Sequence, residues 1–232
     1  SGLGSSSSFT VGLINAVKAL EGKLLDARTM AEMAIHIEQE LIKEACGSQD
    51  QVAASYGGLN KITFQRSGKF LVDPLVIPDR NRDELERGLC LFFTGVSRFA
   101  DEIERDKIKN LKEKEVILHA IQEQVGRVEK LLTSKSFTLC DFGRELHDMW
   151  LSKWALSKKV SNERIDEIYK KALSVGAYGG KILGAGGGGF LLFCIEPWLK
   201  TKLIEAIYPL IHVPFRFDYE GSKVALYAPN GH

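Results

Sequence analysis

The stretch KILGAGGGGFLLFC, residues 181–194, sets five glycines in six positions between two apolar runs. So few side chains cannot make a helix or a strand interior, because glycine gives up the most backbone freedom on ordering. KIL and FLLFC read as strands, so the predicted unit is strand, glycine turn, strand. Gly184, Gly186 and Gly189 have the spacing GxGxxG, but the dinucleotide turn with that spacing opens a helix whose N-terminus receives the pyrophosphate. An apolar strand follows here instead. A Walker-type loop fails too, for want of GxxxxGK and a following Ser or Thr. What remains is a tight turn needing positive φ, or a turn that brings backbone close to a ligand. One hairpin turn uses one or two glycines, and five favour the ligand.

The chain opens SGLGSSSSFTVGLINAVKAL. Composition alone reads its first eight residues as a flexible linker. Phe9, Leu13, Val17 and Leu20 then recur at helical spacing, with Thr10, Asn15 and Lys18 between them, so an amphipathic helix begins within a residue or two of the serines. A Gly/Ser loop wired into a helix start is a phosphate-gripping arrangement.

Helical spacing returns from Ala27 to Ala45, and Glu38 is out of place on it: its neighbours one turn away are Ala34, Ile35, Leu41 and Ile42. Glu40, flanked by His36, Lys43 and Glu44, has a solvated setting. A carboxylate on an apolar face is costly unless something positive or hydrogen-bonding meets it. A magnesium ion and a buried Arg or Lys both answer, and spacing does not choose between them. Downstream, GSQDQ reads as a capping box of Ser48 and Gln51, with Asp50 as a first-turn carboxylate suited to the helix dipole.

Elsewhere the pattern is α+β. LNKITFQ and FLVDPLVIP form a hairpin about the turn residues 66–69, and a short charged helix after Pro78 precedes the strand LCLFFTG. Residues from Ser97 to Val175 read as helical with a break near Thr133 to Phe137. The end is β-rich, with a short helix from Trp198 to Ala206 and the runs VPFRFDY and KVALYAP. The 31 basic and 30 acidic residues leave +1, so no global field draws the chain to nucleic acid or an anionic membrane. Cys46, Cys90, Cys140 and Cys194 form no CxxC pair and read as reduced thiols. No apolar run approaches the ~18 residues of a membrane span, and no signal-peptide pattern opens the chain, so a cytoplasmic protein is expected.

In order and in motif, GLGSSSS, GSQDQ and KILGAGGGG together resemble the GHMP kinase superfamily of small-molecule kinases. Within it, SGLGSSSSFTVGLINA, QDQVAASYGGLN, FFTGVSR, HDMW and IDEIYKKALSVGAYGGKILGAGGGGFLLF resemble the heptose kinases, which phosphorylate the anomeric hydroxyl of D-glycero-D-manno-heptose 7-phosphate. The resemblance implies a two-lobed GHMP kinase-like fold with a helical middle and a ferredoxin-like C-terminal lobe. It implies residues 1–58 as the remainder of an N-terminal domain and 59–232 as the C-terminal domain. It also implies ATP and Mg as requirements and a sugar phosphate as the partner molecule. By match to the family's motifs, Gly2, Leu3, Gly4, Ser5, Ser6 and Ser7 form the phosphate loop, and the Ser6 hydroxyl helps hold magnesium. Glu38 is the metal-binding glutamate, twelve residues before Asp50, the proposed catalytic base. Gly184, Gly186, Gly187 and Gly188 belong to the turn that supports the nucleotide phosphates. A fucose or galactose kinase, or a non-catalytic binding module of the same fold, would share these motifs.

The resemblance departs at the beginning, where family kinases carry a substantial segment before the phosphate loop. The expectation is an N-terminally incomplete domain whose sheet has an open edge, a route to association such as homodimerisation. Arg98, His147, Asp148 and Lys181 are weaker candidates. Arg98 could meet a substrate phosphate or be solvated. His147 and Asp148 could line the sugar pocket, or His147 could pack on its Trp-bearing helix. Lys181 could face a phosphate or the surface.

Overall fold

The structure, a computed structural model, describes residues 2–95 and 114–228. Arg98 lies outside the described residues. The chain divides into two compact units, one of Ser1–Leu3 with Val76–Arg216, the other of Gly4–Leu75 with Phe217–His232.

The second unit is built from three helices and a hairpin. Helix α1 (Ser5–Leu20) begins at the serines themselves, and α2 (Ala27–His36) is capped by Asp26, whose Oδ1 accepts from Thr29 N at 2.7 Å. The helix expected to run on to Ala45 instead widens into a π-turn over Ile37–Leu41, closed by Ile42 N donating to Ile37 O at 2.9 Å, and ends at Lys43 with φ 62°. Helix α3 (Gln49–Tyr56) and the antiparallel pair β1 (Asn60–Phe64) and β2 (Phe70–Pro74) follow. Val11 and Ile14 of α1 pack on Met30 and Ala34 of α2, while Ala31, Val52 and Phe70 join α2, α3 and the hairpin. The stripe that set the helical spacing of α1 is not the buried one: Phe9, Leu13, Val17 and Leu20 are 69%, 51%, 44% and 75% exposed. The helix is apolar on two sides, and this unit buries the side that also carries Ser7 and Asn15.

The first unit centres on a four-stranded antiparallel sheet. Its elements run α4 (Asp79–Gly88), β3 (Leu89–Phe93), α5 (Glu115–Thr133), α6 (Leu139–Leu156), α7 (Glu163–Ser174), β4 (Gly179–Ile182), β5 (Phe190–Cys194), α8 (Lys200–Ala206) and β6 (Ile211–Val213). The strand order is β4-β5-β3-β6. The register puts Cys90 opposite Phe193 and Phe92 opposite Leu191, with Ile182 opposite Leu191 on the other side, so strand alternation gathers these residues on one face. There they meet Trp150 of α6 and Ile165, Ile168 and Tyr169 of α7 in one core. The break between α5 and α6 lies where the sequence indicates, and α6 starts at Thr138, whose Oγ1 accepts from Asp141 N at 3.1 Å.

The β-rich ending is only partly realised. After Val213 the ladder stops at Pro214, which has no N–H to donate, and KVALYAP forms no strand among the described residues. Gly58 N donates to Asp218 O at 2.9 Å and Asn15 Nδ2 to Ser222 Oγ at 3.1 Å, so side-chain and turn contacts hold this segment instead. No helix among the described residues is long and apolar enough to cross a membrane.

Asn81 of α4 is buried and donates through Nδ2 to Leu132 O at 2.9 Å and to Ser134 O at 2.8 Å, closing the end of α5. Asn81→Leu leaves two carbonyls without this donor and is expected to lower the unfolding free energy by roughly 1–3 kcal/mol. Urea denaturation reads this directly, and an unmoved midpoint would show that the carbonyls find water instead.

Candidate active site

In the helix–hairpin unit the site begins at Gly4, the residue before α1. Its φ of 63° is left-handed, as a glycine it has no side chain with which to cap the helix, and no acidic residue stands in the first turn. The first-turn N–H groups and the positive end of a 16-residue helix therefore meet no competing carboxylate of that turn. Ser5 and Ser6 are exposed there, while Ser7 turns inward and is buried. The Ser6 carbonyl accepts from Thr10 Oγ1 at 3.1 Å. A side chain at position 4 would put its Cβ 2.9 Å from Asp50 Cγ, so the Asp50 carboxyl packs directly on the loop backbone at the start of α3.

Glu38, on the π-turn, is 1% exposed. Its Oε2 accepts from Ser7 Oγ at 2.8 Å, from Gln51 Nε2, and from the Cys46 thiol at 3.7 Å. The apolar neighbours that the helical spacing implied are partly absent, because the π-turn leaves Leu41 66% and Ile42 63% exposed. The capping box does not form either. Ser48 gives no side-chain cap and accepts from Gln39 Nε2 at 3.1 Å, while Gln51, fully buried, turns its amide to Glu38. Turned this way the Gln51 amide donates to the buried carboxylate, and its oxygen does not accept from the helix start.

The other oxygen, Glu38 Oε1, is buried and has no hydrogen-bond partner. Such an atom is expensive unless a cation or donor reaches it. It is a hard oxygen ligand of the kind magnesium takes, on a carboxylate whose other oxygen the Ser7 hydroxyl holds, so the residues fit that ion. Ligand atoms of Glu38, Glu44 and Cys46 lie within 4.8 Å of one another. The Cys46 thiol, however, is pushed up to about 11 by burial and by the carboxylates of Glu38 and Glu44, so it stays a hydrogen-bond donor at neutral pH.

In the sheet unit, β4 and β5 flank the glycine turn as the sequence indicates. Gly184, Gly186, Gly187 and Gly189 have φ of 61°, 107°, 73° and 85°. The turn is pinned on several sides: Gly187 N donates to Val160 O at 2.7 Å, Asn162 Nδ2 donates to Gly187 O at 3.3 Å, and Thr94 Oγ1 and N each donate to Gly189 O at 2.9 Å. The Gly187 amide is thereby spent inside the fold, and Gly188 is buried. A Cβ on Gly184 would lie 2.6 Å from Gly2 Cα, so the start of the chain and the start of the turn touch through backbone alone.

The structure thus joins Gly4 to Asp50, joins Ser7 to Glu38, and joins Gly2 to Gly184. It gives the exposed Ser6 no contact with Glu38 in place of Ser7's. His147 takes its packed reading: Nδ1 lies 2.7 Å from Tyr169 OH, which donates to Gly180 O and accepts from Gly180 N, both at 3.2 Å. Asp148 is exposed, and Lys181 is half-buried on β4 opposite Leu192. Sequence reasoning passed over Gln51 as a partner of Glu38 and Lys153 as a partner of the turn. The only signal for Gln51 was its place beside Asp50. Lys153 had none, since its partners are backbone carbonyls.

Residues 1–58 match the family described as GHMP kinases N terminal domain, and residues 135–197 match GHMP kinases C terminal. The chain is 37% identical over 210 residues to the D-glycero-alpha-D-manno-heptose 7-phosphate kinase of Campylobacter jejuni, a match covering 89% of this chain and 61% of that one. It is 24% identical over 231 residues to the galactokinase of Pyrococcus furiosus, covering 89% of this chain and 64% of that one. Among solved structures, a D-glycero-D-manno-heptose 1-phosphate kinase from Bacteroides thetaiotaomicron superposes with a TM-score of 0.74 at 25% identity, over 98% of this chain and 65% of that chain. The chain belongs to the GHMP kinase family. It spans less than two thirds of the length of these curated relatives.

Gly4→Ala forces a side chain into a left-handed setting and against Asp50, at an expected cost of about 1–3 kcal/mol. Gly12, mid-helix in α1 with open space around its Cβ position, is the control: Gly12→Ala is expected to raise stability by roughly 0.5–1 kcal/mol. Thermal unfolding separates the two, and equal melting temperatures would remove the strain argument at Gly4.

Proposed function

We propose that this chain carries the phosphoryl-transfer machinery of an ATP- and magnesium-dependent sugar kinase whose acceptor is the anomeric hydroxyl of D-glycero-D-manno-heptose 7-phosphate. The observation that carries the reading is the gathering of two acidic groups at one glycine-led helix start, Asp50 on Gly4 and the buried, half-satisfied Glu38 on Ser7. The 37% identity to a heptose 7-phosphate kinase supports this acceptor over other sugars. The heptose 1,7-bisphosphate formed is, once its 7-phosphate is hydrolysed, a precursor suited to nucleotide-sugar synthesis for surface glycans, and the cytoplasm, where ATP is supplied, is the compartment we assign.

In this reading Gly2, Leu3, Gly4, Ser5, Ser6 and Ser7 receive the phosphates of ATP with backbone N–H groups and the positive helix end. Gly184, Gly186 and Gly188 let backbone come close to phosphate in their own unit. Glu38 and the Ser6 hydroxyl would hold the magnesium ion, which would supply neutralisation of phosphate charge. Ser7 and Gln51 keep the Glu38 carboxylate fixed in direction. Asp50 accepts a hydrogen bond from the anomeric hydroxyl, orients it in line with the γ-phosphorus and takes its proton late, because such transfer rests on positioning and electrostatics. The sugar oxygen gains the phosphoryl group as the bond to ADP breaks.

Incubation with ATP, magnesium and a panel of sugars, following ADP release, is expected to show fastest turnover with heptose 7-phosphate. Asp50→Ala is expected to lower kcat roughly 100- to 10,000-fold; turnover that survives the substitution removes Asp50 from its role. Nucleotide binding without turnover of any sugar would favour a binding module. Glu38→Gln is expected to weaken activity far more at low magnesium than at high, and an equal loss at both concentrations would assign Glu38 to structure alone.

A further inference from the structure

Strand β4 lies at the edge of its sheet. Leu183 N bonds Phe190 O across to β5, so by the alternation of an antiparallel ladder the polar groups of Gly180 and Ile182 point the other way, off the edge. Such groups need partners. Side chains from the two neighbouring helices supply them: Tyr169 of α7 takes both groups of Gly180, and Lys153 of α6 donates from Nζ to Ile182 O at 3.0 Å. The same ammonium also donates to Gly184 O, one step into the turn. One charge therefore holds two alternate carbonyls across the point where strand becomes glycine turn.

We propose that Lys153 is a positioning residue that aims the glycine turn. In a trans peptide the carbonyl and the following N–H point in opposite directions. Drawing the Gly184 carbonyl toward α6 turns the Ala185 N–H away from it, at the head of a segment whose glycines have few barriers of their own. Charge-assisted bonds are roughly twice as strong as neutral ones, so the ammonium imposes one direction on a peptide that would otherwise rotate. The ligand this serves is the phosphate chain of a nucleotide, and the inference rests on the reading of the turn as a phosphate-facing element.

The test compares Lys153→Met, which keeps the stem and removes the donor, with Lys153→Arg, which keeps a charged donor. Amide hydrogen exchange over residues 183–190 is measured without nucleotide, and KM is measured separately for ATP and for sugar. Lys153→Met is expected to speed exchange in that segment about tenfold and to raise KM for ATP several-fold with KM for sugar unchanged, and Lys153→Arg to fall between. Tyr169→Phe, which loosens the neighbouring edge at Gly180, is expected to leave exchange over 183–190 at its original rate. Unchanged exchange in Lys153→Met overturns the positioning role. Faster exchange with unchanged affinity for ATP overturns the phosphate reading beneath it, and an equal rise in both KM values overturns it in favour of a general loss of structure.

Discussion

A carboxylate inside a protein has to be answered, and in the helix–hairpin unit the answer to Glu38 organises the rest. Its Oε2 draws a hydroxyl from α1, an amide from α3 and a thiol from the loop between. Each donor fixes the element that carries it. The π-turn is the backbone's share of the same requirement, since a widened turn re-aims one side chain without ending the approach of α2 to its neighbours. Because Gln51 is committed to Glu38, the residue before it, Asp50, is carried onto the backbone of Gly4. Burial costs several kcal/mol per ion unless geometry and hydrogen bonds offset it, and here one oxygen is offset and the other is not.

The sheet unit solves a different problem. Its glycine turn has almost no side chains with which to define itself, so definition comes from outside: Thr94 after β3, Val160 and Asn162 before α7, and Lys153 on α6. The HDMW helix takes part in this through His147 by way of Tyr169 and through Lys153 further along.

Much of this was legible in the residues. The glycine turn between strands, the helix start at the serines and the hairpin at 60–74 follow from composition and period, and Glu38 was conspicuous because a charge interrupted an apolar face. What could not be read has a common physical cause. Gln51 satisfies a local rule, the capping box, and a stronger distant partner overrode it. The α1 helix offers two apolar sides, and periodicity cannot say which a given unit buries. KVALYAP has strand propensity, yet a strand also needs a ladder. Lys153 binds backbone carbonyls, which every residue has, so no spacing could announce it.

The Tyr169 network carries a consequence for how this edge responds to its surroundings. The phenol meets both backbone groups of Gly180 at 3.2 Å and lies 2.7 Å from His147 Nδ1, so one oxygen ties the strand edge to a ring on α6. Burial pushes the Tyr169 phenol up to about 12, so it keeps its proton wherever the protein is folded and working. The strand that leads into the glycine turn is therefore latched at Gly180 by a phenol that stays neutral through the working pH range.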